Sequence, residues 1–242
     1  MTVRPFTLQF PDGGWIRGFA CLGLSAILCS CASVSVKETN AAPSSKVVVP
    51  SMIYVHNFTI DRAEFRVDRG GEALAQFEQE TSERLSRMLV RRLRERIGRA
   101  KVVASSAPLP RQNAWLITGR FDRVYQGSRA LRMVIGLGLG ATKMETTVKV
   151  YDLRDPNPLR RPILTVKTTG GSNMTGGLLG SAYQFNPYLF ALNVAGNLQS
   201  GIVFDTGRTA REVTAALSEF LYHHGAITEQ EAVSPKRLGT WP

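Results

Sequence analysis

Beyond Cys31 the chain has no cysteine at all. Its three thiols, Cys21, Cys29 and Cys31, sit in the first 31 of 242 residues, so no disulfide framework can brace the body. Histidine is almost as scarce. His56, His223 and His224 are the full set, the last two point about 100° apart if helical, and no H-E-x-x-H spacing is present. There is no G-x-S-x-G elbow, and Asp61, Glu64 and Asp68 read as a charge-mixed loop rather than as paired catalytic carboxylates. No catalytic residue, metal or cofactor is assigned. No apolar run suits a multi-span membrane protein, and 43% hydrophobic residues exclude a disordered chain.

What is present begins with an address. Arg4 and Arg17 precede the apolar stretch from Phe19 to Leu28, a charged n-region followed by an h-region of signal-peptide length. Leu28-Cys29-Ser30-Cys31 then sets an aliphatic residue three positions before a cysteine and a small residue directly before it. This resembles the lipobox of bacterial lipoproteins. The resemblance implies cleavage between Ser30 and Cys31, a diacylglyceryl group on the Cys31 thiol and an acyl chain such as palmitate on the new amine. Each buried methylene contributes about 0.8 kcal/mol, so several chains together anchor stably. Ala32, where an inner-membrane lipoprotein would carry Asp, is similar to the outer-membrane sorting pattern, and the expected place is the periplasmic face of that membrane ahead of the inner one. Two other readings stay open: an uncleaved anchor, since Gly18 to Val36 is uncharged for 19 residues, and a secreted soluble chain.

Residues 1–30 are thus expected as signal peptide, 31–46 as lipidated cysteine and flexible tether reaching up to about 50 Å, 47–225 as the domain and 226–242 as a polar tail. The patterning predicts strands at 47–55, 102–103, 116–125, 146–153 and 163–169, the last two forming a hairpin through Asp155-Pro156-Asn157-Pro158. Leu74, Phe77, Leu85, Met88, Leu89, Leu93 and Ile97 recur at helical spacing, with glutamates early and arginines late. A closing helix over 210–223 would be capped by Thr209 and Glu212 and stopped by Gly225. The expected fold is one α+β domain, a mixed or mostly antiparallel sheet of about five strands with two main helices on one face.

Two segments stand out. Gly136, Gly138 and Gly140 alternate after Arg132, but a strand-like run follows where a dinucleotide site needs a helix, so close backbone approach is the favoured reading. Residues 168–204 contain no Asp, Glu, Lys or Arg in 37 positions and include Tyr188 and Phe190 after Asn186-Pro187, which can start a short helix. Such a stretch fits a protein partner, a second copy or a bilayer as well as a cover over its own core.

The chain carries 30 Lys and Arg against 19 Asp and Glu, a net +11 that falls by only one when residues 1–30 are removed. Export rules out nucleic acid as partner and leaves anionic lipid or cell-wall polymer, unless the arginine-rich helix face is simply solvated.

The run from Gly127 through Arg132, Gly136, Gly138 and Gly140 to Ala141, then Val148 to Asp152 and Gly170-Gly171-Ser172, resembles the bacterial "domain of unknown function 4410" lipoproteins over about residues 46–224. Leu137 and Leu139 stand where an aromatic and a small residue are common. The resemblance implies a small envelope protein and carries over no active site. The element order is also similar, as fold analogy only, to lipoprotein domains of curli secretion and of penicillin-binding-protein activation. The functional expectation is a non-enzymatic, lipid-anchored binding or assembly module. The alternatives are a self-assembling secretion or pore component and, third, an enzyme acting on envelope polymers.

Overall fold

The computed structural model describes residues 34–40, 43, 46–61, 63–126, 142–170 and 187–237, with the side chains of 40 and 187–204 excepted. These belong to the second of the chain's two units, Ala32–Pro242. The elements are β1 (Val34–Asn40), β2 (Met52–His56), β3 (Glu64–Arg66), α1 (Gly71–Arg96), β4 (Ala100–Val103), β5 (Ala114–Tyr125), β6 (Lys143–Asp152), β7 (Leu164–Gly170) and α2 (Pro187–His223).

The strands join one mixed sheet in the order β1-β7-β6-β5-β2-β4, with β3 also on β5. From β5 through β6 and β7 to β1 every pairing is antiparallel, whereas β2, β3 and β4 enter parallel. β2 lines the first half of the long β5 and β3 its second half, beyond a register shift between Phe121 and Arg123. The α+β class is as expected, with seven strands among the described residues rather than about five.

Alternation decides which residues meet the helices. Ile53, Val55, Trp115, Ile117, Val148, Val150, Leu164 and Val166 share one face and form a single cluster with Leu85, Leu89 and Leu93 of α1 and Val213, Leu217 and Phe220 of α2. Fully burying one such side chain contributes about 1.5–3 kcal/mol, so this layer holds both helices to the same face. The Phe220 ring meets Trp115 edge-on at 6.1 Å. A small second cluster on the other face, Tyr54, Leu116, Tyr151 and Leu153 with Leu109, closes only the corner near the start of β5.

Four expectations are corrected. Val34–Asn40, assigned to the tether, is strand β1 paired along its length with β7. Its composition is small and polar, yet Val34 and Val36 alternate with Ser35 and Lys37 and are buried, which satisfies a half-covered strand. The first strand of the predicted run is shorter, since residues 47–51 lead into β2 without pairing in it.

The closing helix is also longer than predicted. It runs unbroken from Pro187 to His223, so the short helix expected at Asn186-Pro187 and the one at 210–223 are a single element. Proline fits a first helical position, no second proline lies between it and Thr209, and the helix runs through Gly196, Gly201 and Gly207. Thr209 is therefore buried inside the helix rather than capping it.

Finally, the polar tail is docked as far as 237. Glu212 accepts from the Lys236 amide at 2.8 Å, Ser218 Oγ from the Val233 amide at 3.0 Å, and the Val36 amide donates to the Lys236 carbonyl at 2.8 Å. Arg237 pairs with Glu219 and lies 3.7 Å from Glu38.

Candidate functional site

Both helices lie on one face, so the register of β5, β6, β7 and β1 defines what the other face presents. Three cross-strand rows follow from it. Thr118, Lys149, Thr165 and Thr39 form the first, Arg120, Thr147, Lys167 and Lys37 the second, and Arg123, Glu145, Thr169 and Ser35 the third. Neighbouring strands are about 4.8 Å apart, so each row spans roughly 14 Å.

Lys37, Lys149, Lys167 and Arg120 are exposed on this face. The carboxylates there are already engaged: Asp122 with Arg120 at 2.9 Å, and Glu145 with Arg123 at 3.2 Å and Lys143 at 2.8 Å. Among the described residues, Lys37, Lys149 and Lys167 take part in none of the ion pairs. Lys37 and Lys167 are direct cross-strand partners, an arrangement of like charges that is unfavourable for the fold. Basic and flanked by threonine hydroxyls, this face can attract anionic groups and hydrogen-bond to them.

The arginine-rich helix differs. Arg87 pairs with Glu83 at 3.0 Å, Arg92 with Glu95 at 2.8 Å, and Arg94 Nε donates to the Ala100 carbonyl at 2.7 Å, capping the edge strand β4. The basic balance that composition suggested for the helix is thus partly neutralised there, whereas Lys37, Lys149 and Lys167 on the sheet are outside the ion pairs among the described residues. Sequence reading missed them, although the alternations Thr165-Lys167-Thr169 and Thr147-Lys149 carry the signal.

Other titratable groups serve the fold. Glu64 accepts from Arg66 at 2.9 Å and Arg123 at 3.2 Å, and its hydrogen bond with Tyr125, with these arginines, holds its carboxyl below the usual range. It is not one of a pair of carboxylates poised for acid-base work. Burial lowers His56 at the end of β2, while His223 and His224, at the end of α2, face Glu219 at 3.7 Å and the Phe220 carbonyl at 2.8 Å. Among the described residues no group of three His, Cys, Asp or Glu is placed to hold a metal ion.

Ser30, Cys31, Arg132, Gly136, Gly138 and Gly140 lie outside the described residues. Tyr188 and Phe190 fall in α2, with side chains outside the description. Their flanks, however, are placed. Tyr125 ends β5 before the glycine run, Lys143 starts β6 after it, Gly170 ends β7 at the head of the neutral stretch, and Val34 starts β1 three residues after Cys31. The pairings Tyr125 with Lys143, Met144 with Gly170 and Gly170 with Val34 gather these four ends at one edge of the sheet.

The family model described as Domain of unknown function (DUF4410) matches residues 53–191. No curated protein matches the chain. Among solved structures, the PelC dodecamer from Paraburkholderia phytofirmans is similar at 10% identity and TM-score 0.36, covering 72% of this chain and 96% of that one. The hypothetical protein CT253 from Chlamydia trachomatis is similar at 12% identity and TM-score 0.26, covering 62% and 99%.

Proposed function

The chain belongs to the family of the Domain of unknown function (DUF4410), and from that premise we propose that it is a lipid-anchored cell-envelope protein whose domain is a non-enzymatic binding or assembly module. The anchor is a diacylglyceryl group on Cys31, and the domain faces the periplasm from the outer membrane. Its contact surface for an anionic partner, lipid or cell-wall polymer, is the open face of β5, β6, β7 and β1.

The observation that carries this reading is the juxtaposition of Lys37 and Lys167, with Lys149 nearby, all three exposed and, among the described residues, outside the ion pairs. Folding does not require two lysines to face each other, and the pair raises the positive potential of this face. The neutral stretch 168–204 is the candidate surface for a protein partner or a second copy, and the mass of detergent-extracted particles reports on that part.

The test is binding of the full lipidated protein, in detergent, to polygalacturonate and to purified sacculi, with uncharged dextran as control. Lys37→Gln, Lys149→Gln and Lys167→Gln combined should weaken binding about tenfold or more and flatten its dependence on salt. Unchanged affinity in the triple variant would remove the surface from the reading. Cys31→Ala should abolish palmitate incorporation and release the protein from membranes.

A further inference from the structure

Given the lipid anchor of the preceding section, on which this step rests, the start of β1 has a geometric consequence. Two residues, Ala32 and Ser33, separate Cys31 from Val34. Three extended residues span at most about 10 Å, so Val34 is held that close to the acylated residue. Val34 is no loose end, because it pairs with Gly170 and is buried. The short connection therefore ties one particular end of the sheet to the bilayer.

From this we infer that the sheet end formed by Val34, Gly170, Met144 and Tyr125 stands on the lipid surface, and that the opposite end, at the β6–β7 turn, points away from it. The occupant of this end is a bilayer headgroup region.

Two further observations agree. Tyr125, at this end, lies under the guanidinium groups of Arg66 and Arg123, at 5.0 and 5.4 Å, with Lys143 as its register partner. Tyrosine suits a membrane–water boundary, its ring in the headgroup layer, and here it stands among charges already paired within the protein, Arg66 and Arg123 with Glu64 and Lys143 with Glu145. The second is α2. Asp205 is joined to Thr142 beside this end, and Phe220 packs on Trp115 toward the other. The 18 helical residues before Asp205, all uncharged, therefore come before this contact on the membrane side.

The orientation is tested on full-length protein reconstituted into phosphatidylethanolamine–phosphatidylglycerol vesicles that contain a headgroup nitroxide lipid. Cys31 being acylated, one introduced cysteine gives one fluorophore. Helix α1 supplies two exposed positions about 36 Å apart, Glu72 near the proposed lipid side and Arg96 at the far side. Glu72→Cys should be quenched at least threefold more than Arg96→Cys. A second pair, Thr169→Cys against Leu159→Cys in the β6–β7 turn, should show the same order and does not depend on the helix variants folding. Equal quenching, or more at Arg96 and Leu159, on a chain whose mass shows the diacylglyceryl group would overturn the orientation and leave the anchor standing. A mass without that group would overturn both.

Discussion

Thr142, the first described residue after the glycine run, donates a 2.5 Å hydrogen bond to the Asp205 carboxylate in α2. Asp205 is fully buried, and Arg208 lies 3.6 Å away. This contact joins the start of β6 to α2 at the sheet end where Tyr125 and Gly170 also lie. Burial pushes the Asp205 carboxyl from 3.8 up to about 6, against the opposing pull of Thr142 and Arg208.

A group raised on folding stabilises fully below its unfolded value, and that stabilisation is lost as pH rises through the folded value. Between about pH 4 and pH 6–7, Asp205 should therefore reduce stability by an amount on the order of 2–3 kcal/mol. Urea unfolding of wild type and Asp205→Asn at pH 4.5 and 7.5 checks this. Asn should be the more stable partner at pH 7.5, with the difference shrinking at pH 4.5.

Arg237 stands between Glu219 of α2 and Glu38 of β1, both largely buried. Burial, first among several causes, already raises the Glu38 carboxyl. Arg237→Ala removes the guanidinium that both carboxylates share and, since Arg237 is itself nearly half exposed, should cost about 1–3 kcal/mol. Limited proteolysis should then cut within 228–237, where the wild type resists.

At Gly170 and Gly119 the absence of a side chain matters. A Cβ on Gly170 would lie 2.8 Å from the Val34 Cα, and one on Gly119 would enter the Phe58 ring. Gly170→Ala must move a backbone, whereas Gly119→Ala displaces a buried ring, and each should destabilise by about 1–3 kcal/mol. Hydrogen exchange separates them, since only Gly170→Ala should expose the amides of β1.

Lys167→Glu places a carboxylate opposite Lys37. It should stabilise the domain by about 0.2–1 kcal/mol while weakening binding to polygalacturonate. Thermal unfolding and binding measured on one preparation give the two signs. A variant that loses stability along with binding would count against a surface kept for its ligand.

Much of the architecture is legible in local pattern. α1 declares itself through Leu85, Leu89 and Leu93 at four-residue spacing, and the β6–β7 hairpin through Asp155-Pro156-Asn157-Pro158 between two alternating runs. β1 was harder to read because Val34 and Val36 are only two apolar positions among small polar ones. Their burial depends on β7, 134 residues away at the Ser35–Thr169 hydrogen bond. The length of α2 escaped for a related reason: Thr209 and Glu212 mimic a cap, and nothing local says that helix precedes them.

By itself, the sequence determined the α+β class, the two amphipathic helices, the basic balance and the pattern around Cys31, because each rests on residue type and short spacing. Tertiary structure alone decided that Lys37 meets Lys167, that Arg237 reaches Glu38 and Glu219, and that Val34, Tyr125, Lys143 and Gly170 share one sheet end. Those relations depend on strand order and register. Both are set by which distant apolar faces bury each other, and no local window contains that information.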